Sequence, residues 1–418
     1  MLASIPAYQT LGRKSGWRWQ EHSALPYPLS HDRARYYYLG RNAVYHGARM
    51  LGLKQGDEVL FPSYHSGTEA APLMHLGCNL RFYGVDRNLE IDLAEIESLI
   101  GPRTKAIYAI HFFGFPAPIE QLRRLANEHG LYLIEDVALG LLGHVDGRPL
   151  GTWGDISVFC MYKSLPVAVG GMLAVNNPAV PLPPRPRGGR LYSELNLTAK
   201  RLVHHWDLHG GPLGHLARLA VERCFQASRV KRNFTLESPE ELDFDPGLLD
   251  CGMGRLTRGL LKWLDYGSIA RRRRANYEWL AERLNGTGVA LLRQDLPRGA
   301  VPLFLPILVA DKFGTVAALA QEKIEAIPVW GIHHRYLQRG MFPGTEFLVN
   351  HAVEIPIFQD LSERHLERIA RAVTAYAKWP EFASAAADEA ELRDSGFPSR
   401  AWEPDKLQEM TATPAAQS

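Results

Sequence analysis

TKAIYAIHFFG (Thr104–Gly114) and LYLIED (Leu131–Asp136) decide the fold. Each is a short, nearly unbroken apolar run rather than an alternation of apolar and polar residues. A strand of that composition is buried on both faces, the habit of parallel sheets covered by helices. Between them lies Ile119–His129, with apolar residues at helical spacing and Gly130 to close it. LYLIED also ends in two carboxylates, and open parallel sheets place their sites at the C-terminal ends of strands.

The same alternation continues toward the N-terminus. Leu93–Ile100 reads as a helix, Leu80–Tyr83 as a strand, Thr68–Leu76 as a helix and Gly56–Pro62 as a strand. Helical patterning also runs from Arg33 through Met50, ending at Gly52. An α/β fold with a mostly parallel central sheet follows. Toward the C-terminus, Pro178–Gly189 is a break rich in Pro, Gly and Arg. Residues 191–230 look helical, and Gly252–Leu284 reads as one long helix. Val289–Leu292 and Val301–Leu308 read as strands, and Phe313–Gln321 and Glu363–Tyr376 as helices, together a smaller α+β unit. The expected division is an irregular segment over 1–30, a large domain over 31–255, a small C-terminal domain over 256–382 and a disordered tail over 383–418.

Composition removes several classes of function. The 418 residues carry a formal net charge of +2, which makes no electrostatic case for nucleic acid or an anionic membrane. Hydrophobic content of 46% and charged content of 22% are those of a soluble globular protein. Cys78, Cys160, Cys224 and Cys251 form no CxxC pair, so neither a disulfide framework nor a zinc site is expected, and a cytoplasmic location fits. No charged segment followed by an apolar stretch opens the chain, and no run of about 18 apolar residues would span a bilayer.

Four features bear chemistry. Lys163, in FCMYKSLP (Phe159–Pro166), is the only lysine between Lys105 and Lys200. An apolar setting is expected to lower its pKa and free the amine for imine formation. Asp136 ends a buried strand. Gly40-Arg41-Asn42-Ala43 can open a helix whose N–H groups receive a phosphate. Tyr64 and His65 follow Pro62 and offer a flat ring for stacking. A lysine, a carboxylate for a pyridinium nitrogen, a phosphate cradle and a stacking ring are what pyridoxal 5′-phosphate (PLP) requires. Taken singly, each has a plainer reading: a surface lysine, a helix cap, a simple turn.

Three blocks, in order and at matching spacing, resemble the DegT/DnrJ/StrS family of sugar aminotransferases, PLP enzymes of fold type I. They are LGRNAVYHGARMLGLKQGDEVLFPSY, IYAIHFFGFPAPIEQLRRLANEHGLYLIEDVALGLLG, and GDISVF followed by Lys163 and GGMLAVNN. A weaker likeness continues through Arg271–Leu284 and AVEIPIFQDL (Ala352–Leu361). The resemblance implies an aspartate-aminotransferase-like large domain with Lys163 as the Schiff-base lysine and Asp136 paired with the pyridine nitrogen. It implies a phosphate site at Arg41 and Asn42, a stacking ring from Tyr64 or His65, and Cys160 where the family carries a cofactor-side serine. It further implies homodimers with shared sites. The reaction implied moves an amino group from an amino acid, typically glutamate, to a keto sugar carried on a nucleotide or to another small carbonyl compound.

The chain also departs from that family. Leu139 stands where a glutamine usually follows the aspartate, the usual Pro-Ser/Thr before the lysine is absent, and Cys251-Gly-Met-Gly-Arg255 replaces an Asn-x-Arg-Met segment. A PLP-dependent dehydratase, lyase or carbon–carbon bond-forming enzyme, or a non-catalytic member, are the competing readings. Lys163 speaks against the sugar-dehydratase branch, which has histidine there.

Other features have bland readings beside sharp ones. His204, His205 and His209 lack HExxH spacing, so no metal is expected. His333-His334 reads as a surface turn, with substrate contact as the alternative. Arg271–Arg274 reads as a solvated or dimer-facing surface. His111 either approaches the cofactor or is a hydrogen-bonded structural residue. Leu213–Phe225 is amphipathic and more often covers a core than rests on a membrane.

Overall fold

The computed structural model describes residues 5–10, 25–210, 213, 214, 216, 245–330, 337 and 340–379. Its main sheet has seven strands: β1 (Ala34–Tyr37), β2 (Glu58–Pro62), β3 (Asn79–Tyr83), β4 (Thr104–Ile110), β5 (Tyr132–Asp136), β8 (Ile156–Cys160) and β9 (Gly171–Val175). A short hairpin, β6 (His144–Val145) and β7 (Arg148–Pro149), lies between β5 and β8 in the chain. The order across the sheet is β1-β9-β8-β5-β4-β2-β3. The strands from β3 to β8 run parallel, and β9 and β1 close one edge antiparallel. The α/β expectation holds, and the apolar runs are the reason: every residue of β2, β8 and β9 is buried.

Helices α1 (Gly40–Met50), α2 (Ala70–His75), α3 (Leu93–Ser98) and α4 (Ile119–Glu128) alternate with the strands. In α4 the apolar stripe Ile119, Leu122, Leu125 and Ala126 is buried. α3 starts where the Asp92 carboxylate accepts the Ala94 N–H at 2.8 Å. After β8 come the four-residue helix α5 (Met161–Ser164) and α6 (Leu191–His209). The rest of the helical stretch expected over 191–230, with nearly all of 213–225, lies outside the described residues, as do His333, His334 and the tail over 383–418.

Two expectations are corrected. The stretch 33–50 is not one helix: Ala34–Tyr37 is an edge strand paired with β9, Arg35 opposite Leu173. Its bulky aromatic residues favour extended pairing, and helix begins only at Gly40. The stretch 252–284 is two helices, α7 (Arg255–Leu261) and α8 (Tyr266–Leu284). They break at Asp265, whose carboxylate caps α8 through the Ser268 N–H at 3.0 Å.

A second sheet, β10 (Ala290–Leu291), β11 (Phe304–Leu308) and β12 (Ala352–Pro356), is antiparallel throughout. Helices α9 (Lys312–Gln321), α10 (Pro343–His351) and α11 (Glu363–Tyr376) accompany it. Among the described residues no helix is long and apolar enough to cross a membrane.

The four arginines of α8 are not alike. Arg271 and Arg272 are exposed and Arg274 is half-buried, but Arg273 is buried. Its guanidinium donates to Gln9 Oε1 at 2.9 Å, the Leu303 carbonyl at 3.0 Å and the Ser164 carbonyl at 3.3 Å. The solvated-surface reading therefore fails at this one position. Arg273→Ala strands these acceptors in the interior and is expected to cost about 3 kcal/mol in urea unfolding. Arg271→Ala is expected to change stability by less than about 0.5 kcal/mol.

Candidate active site

β5 and β8 are neighbours, and their C-terminal ends deliver Asp136 and the loop that carries Lys163 to one place. Asp136 is buried. Its Oδ2 accepts the Tyr108 hydroxyl at 2.6 Å and its Oδ1 accepts the Ala138 N–H at 2.8 Å. Burial and the neighbouring Glu69 hold its carboxyl above the ordinary value, against the pull of Tyr108, Ala138 and Lys163. Glu135, one residue earlier, points to the other face of the strand. It accepts the N–H groups of Gly151, Trp153 and Gly154 and pairs with His111 Nε2 at 3.1 Å. His111 Nδ1 accepts the Ala117 N–H at 3.0 Å, so both ring nitrogens are spent on structure.

Lys163 sits in α5, immediately after β8. Burial pushes its ammonium down, but Cys160, Tyr162, Asp136 and Glu69 together outweigh it and hold the amine above its ordinary value. This reverses the sequence expectation: the setting is dry, but it is lined with acidic groups. One consequence is measurable. An amine must shed a proton before it can attack an aldehyde, so if Lys163 forms the imine that the resemblance implies, added PLP should combine faster as pH rises. Between pH 7.5 and 8.5 the rate should grow about tenfold, following the neutral fraction of a group still far below its midpoint. Stopped-flow absorbance reads it directly.

The N-terminus of α1 adjoins the same place. The Gly40 N–H reaches the Cys160 thiol, and a Cβ on Gly40 would overlap that sulfur. Burial pushes the thiol up to about 11, leaving it neutral. No side chain caps α1, and its first turn holds no acidic residue. An uncapped helix end of that kind suits an anion. Arg41 lies within electrostatic reach of Tyr162. The Asn42 amide is committed elsewhere, to the carbonyls of Leu248 and Leu249 at 2.5 and 3.2 Å. Its expected place at the phosphate therefore rests on its backbone alone.

The two candidate rings part company. His65 accepts the Gly67 N–H at 3.0 Å and stacks on Phe82, with centroids 5.8 Å apart and planes 4° off parallel. Burial lowers it to about 4, against the pull of Glu69. Tyr64 packs against Trp330 at 4.6 Å and Phe112 at 5.7 Å, and its buried hydroxyl has no hydrogen-bond partner among the described residues.

Sequence reading missed two contributors, Glu354 and the segment 5–10. Glu354, on β12, is buried within electrostatic reach of Lys163, Lys312, Tyr64 and Tyr8. Burial raises it to about 8, with both lysines opposing. Residues 5–10, read as irregular, run into the site, where Tyr8 meets Phe304 edge-on at 5.4 Å. Tyr8 packs with Leu139, Leu303, Phe304, Ile327 and Trp330 in one apolar cluster, which gives Leu139 an apolar setting in place of a polar task. Nothing in the local sequence marked these residues, because their contacts span the whole chain. A surface cavity of about 480 Å³, lined by His46, Arg49, Arg185, Arg187 and Asp250 among others, contains none of this machinery.

Two of the three histidines of α6 make ring or hydrogen-bond contacts with remote segments. His205 Nδ1 lies 2.9 Å from the Thr10 hydroxyl, and the His209 ring stands between those of His205 and His365.

Residues 40–181, the block that supplies α1, Asp136 and Lys163, match the DegT/DnrJ/EryC1/StrS aminotransferase family. Over this block the chain is similar to that family. A GDP-perosamine synthase of Vibrio cholerae is 33% identical over 141 residues, which span 33% of this chain and 38% of that protein. A UDP-N-acetyl-3-dehydro-α-D-glucosamine 3-aminotransferase of Acidithiobacillus ferrooxidans is 28% identical over 350 residues, 80% of this chain and 81% of that one. Among solved structures, the putative sugar aminotransferase Spr1654 of Streptococcus pneumoniae in its PMP form superposes with a TM-score of 0.63 at 16% identity. It covers 89% of this chain and 98% of its own. The fold is thus that of DegT/DnrJ/EryC1/StrS aminotransferases from α1 into the second sheet. The family match ends at Pro181; it includes the departures at Leu139 and in the loop before Lys163 and stops short of the one at Cys251–Arg255.

Proposed function

We propose that this chain is a member of that family, a PLP-dependent aminotransferase that moves an amino group from an amino acid, glutamate, to a keto sugar carried on a nucleotide. The observation that carries the reading is the half-buried Lys163, just past the end of β8, within electrostatic reach of buried Asp136 at the end of the adjacent β5. The surroundings fit the cofactor: α1 offers an N-terminus that opens on Gly40 without a side-chain cap, and the buried Tyr64 hydroxyl has no hydrogen-bond partner among the described residues. Lys163 Nζ would hold the cofactor, Asp136 would face its pyridine nitrogen, and the first turn of α1, with Arg41 and the Asn42 backbone, would take its phosphate. Tyr64 or His65 would cover the ring, with the neutral Cys160 thiol at its edge.

When bound, PLP supplies an electron sink for charge developing at a donor's α-carbon. The chain's own residues do the rest. Lys163 Nζ is the group placed to move a proton to and from that carbon. Asp136 keeps positive charge on the ring nitrogen. Leu139, Phe304 and Trp330 belong to one apolar cluster with Tyr8, and apolar surroundings of that kind strengthen electrostatic interactions. Glu354, on the second sheet, lies within electrostatic reach of the amine. The sugar class rests on the relatives' names, which are those of sugar aminotransferases. A homodimer with shared sites belongs to the same reading, supported by exposed Leu191, Tyr192, Leu195 and Trp206 on α6.

The test is direct. Purified protein given PLP should acquire a visible absorption band that borohydride abolishes and fixes onto the peptide bearing Lys163. Glutamate should bleach that band and release 2-oxoglutarate. A protein that stays colourless with added PLP sinks the proposal; a band that glutamate leaves untouched favours a dehydratase or lyase instead.

A further inference from the structure

The helix that carries Lys163 is one turn long and cannot satisfy its own carbonyls. Side chains from three remote segments do so. Gln9 Nε2 donates to the Tyr162 carbonyl at 2.7 Å and the Leu165 carbonyl at 2.6 Å. Arg201, from α6, donates to the same Tyr162 carbonyl at 3.1 Å, and Arg273, from α8, to the Ser164 carbonyl at 3.3 Å. Gln9 is itself locked. Its Oε1 accepts Arg273 at 2.9 Å and its backbone carbonyl accepts Arg201 at 3.0 Å. Both amide hydrogens and the amide oxygen are therefore used, and the side chain is buried.

The segment bearing Gln9 is tied down on either side. Ile5 exchanges backbone hydrogen bonds with Lys323 and Glu325, at 2.7 and 2.9 Å. The Ala7 N–H donates to Glu325 Oε2 at 3.2 Å, and the Thr10 hydroxyl to Asp360 Oδ2 at 2.6 Å. Glu325 and Asp360 belong to the part of the chain that carries the second sheet. A clamp built from that part thus holds the backbone on both sides of a lysine delivered by the first sheet.

We propose that Gln9 is a positioning residue for Lys163, fixing the α5 backbone so that Nζ keeps one place relative to Asp136. The proposal rests on the aminotransferase reading. Its physical content is that one amide bridges the carbonyls before and after the lysine. Losing it frees the loop locally while Arg201 and Arg273 keep the surrounding fold.

Two variants test it. Gln9→Leu removes the donors at similar volume, and Gln9→Asn keeps an amide too short to span both carbonyls. In the apo-protein, backbone hydrogen exchange over residues 161–166 should quicken by roughly tenfold in Gln9→Leu, the loss of about one net hydrogen bond, and by less in Gln9→Asn. Exchange in β4 and β5 should stay as in the parent. In the PLP-loaded protein, the pH midpoint of the visible band should move in both variants, and glutamate turnover should fall in kcat with KM little changed. Unaltered midpoints beside a normal parental band overturn the role of Gln9, as does exchange that rises evenly across the main sheet, the mark of a merely structural residue. A parental protein without any band overturns the aminotransferase reading instead.

Discussion

Lys163→Arg is expected to abolish borohydride-stable attachment of PLP and to lower glutamate turnover by about 10²–10⁴-fold through lost proton transfer alone. Arginine is the informative replacement. It keeps a cation beside Asp136, Glu69 and Glu354, so these buried carboxyl groups retain their counter-charge and the fold is spared. A guanidinium is never neutral at accessible pH, so it can neither attack an aldehyde nor accept a proton. The comparison therefore separates the charge at this position, which the structure needs, from the amine, which the chemistry needs. Retention of more than about a tenth of parental turnover would show that proton transfer lies elsewhere. Peptide mapping of the borohydride-treated parent and variant provides the check, since labelling at Lys105 or Lys200 would expose a wrong assignment.

How much of this was legible in the sequence depended on the range of the interactions involved. β4 and β5 could be read from their own residues, because burial on both faces demands an unbroken apolar run. Asp136 could be read because a strand end in a parallel sheet has a defined direction. The edge strand Ala34–Tyr37 could not, since its identity comes from pairing with β9, which lies far along the chain. Arg273 shares its neighbours' charge and differs from them only in facing Gln9, Ser164 and Leu303. Gln9 itself meets residues more than 150 positions away, and no local pattern signals such a contact. The pKa of Lys163 departs from the sequence expectation for a partly related reason: apolar flanks imply desolvation, which Cys160 and Tyr162 beside the lysine, and then Asp136 and Glu69 through space, together outweigh.

Asp136→Asn should leave the fold intact and lower kcat by about 10²–10³-fold, the scale on which loss of one preorganised electrostatic partner is felt. The substitution preserves shape: the asparagine oxygen can still accept the Ala138 N–H or the Tyr108 hydroxyl. What it removes is the negative charge that keeps a facing ring nitrogen protonated. The pH dependence has a definite sign. Burial and Glu69 already hold the Asp136 carboxyl above its ordinary value. Lowering the pH toward that raised value neutralises it and reproduces the asparagine variant in the parental protein. Parental turnover should therefore rise with pH on the acid limb, and that limb should vanish from the variant, whose side chain does not titrate. Glu69 contributes to the same balance: Glu69→Gln removes a repelling charge and should shift the parental limb to lower pH. A variant that keeps both the acid limb and a kcat within about twofold of the parent would place the charge partner of the ring elsewhere, with Glu69 the next group in reach.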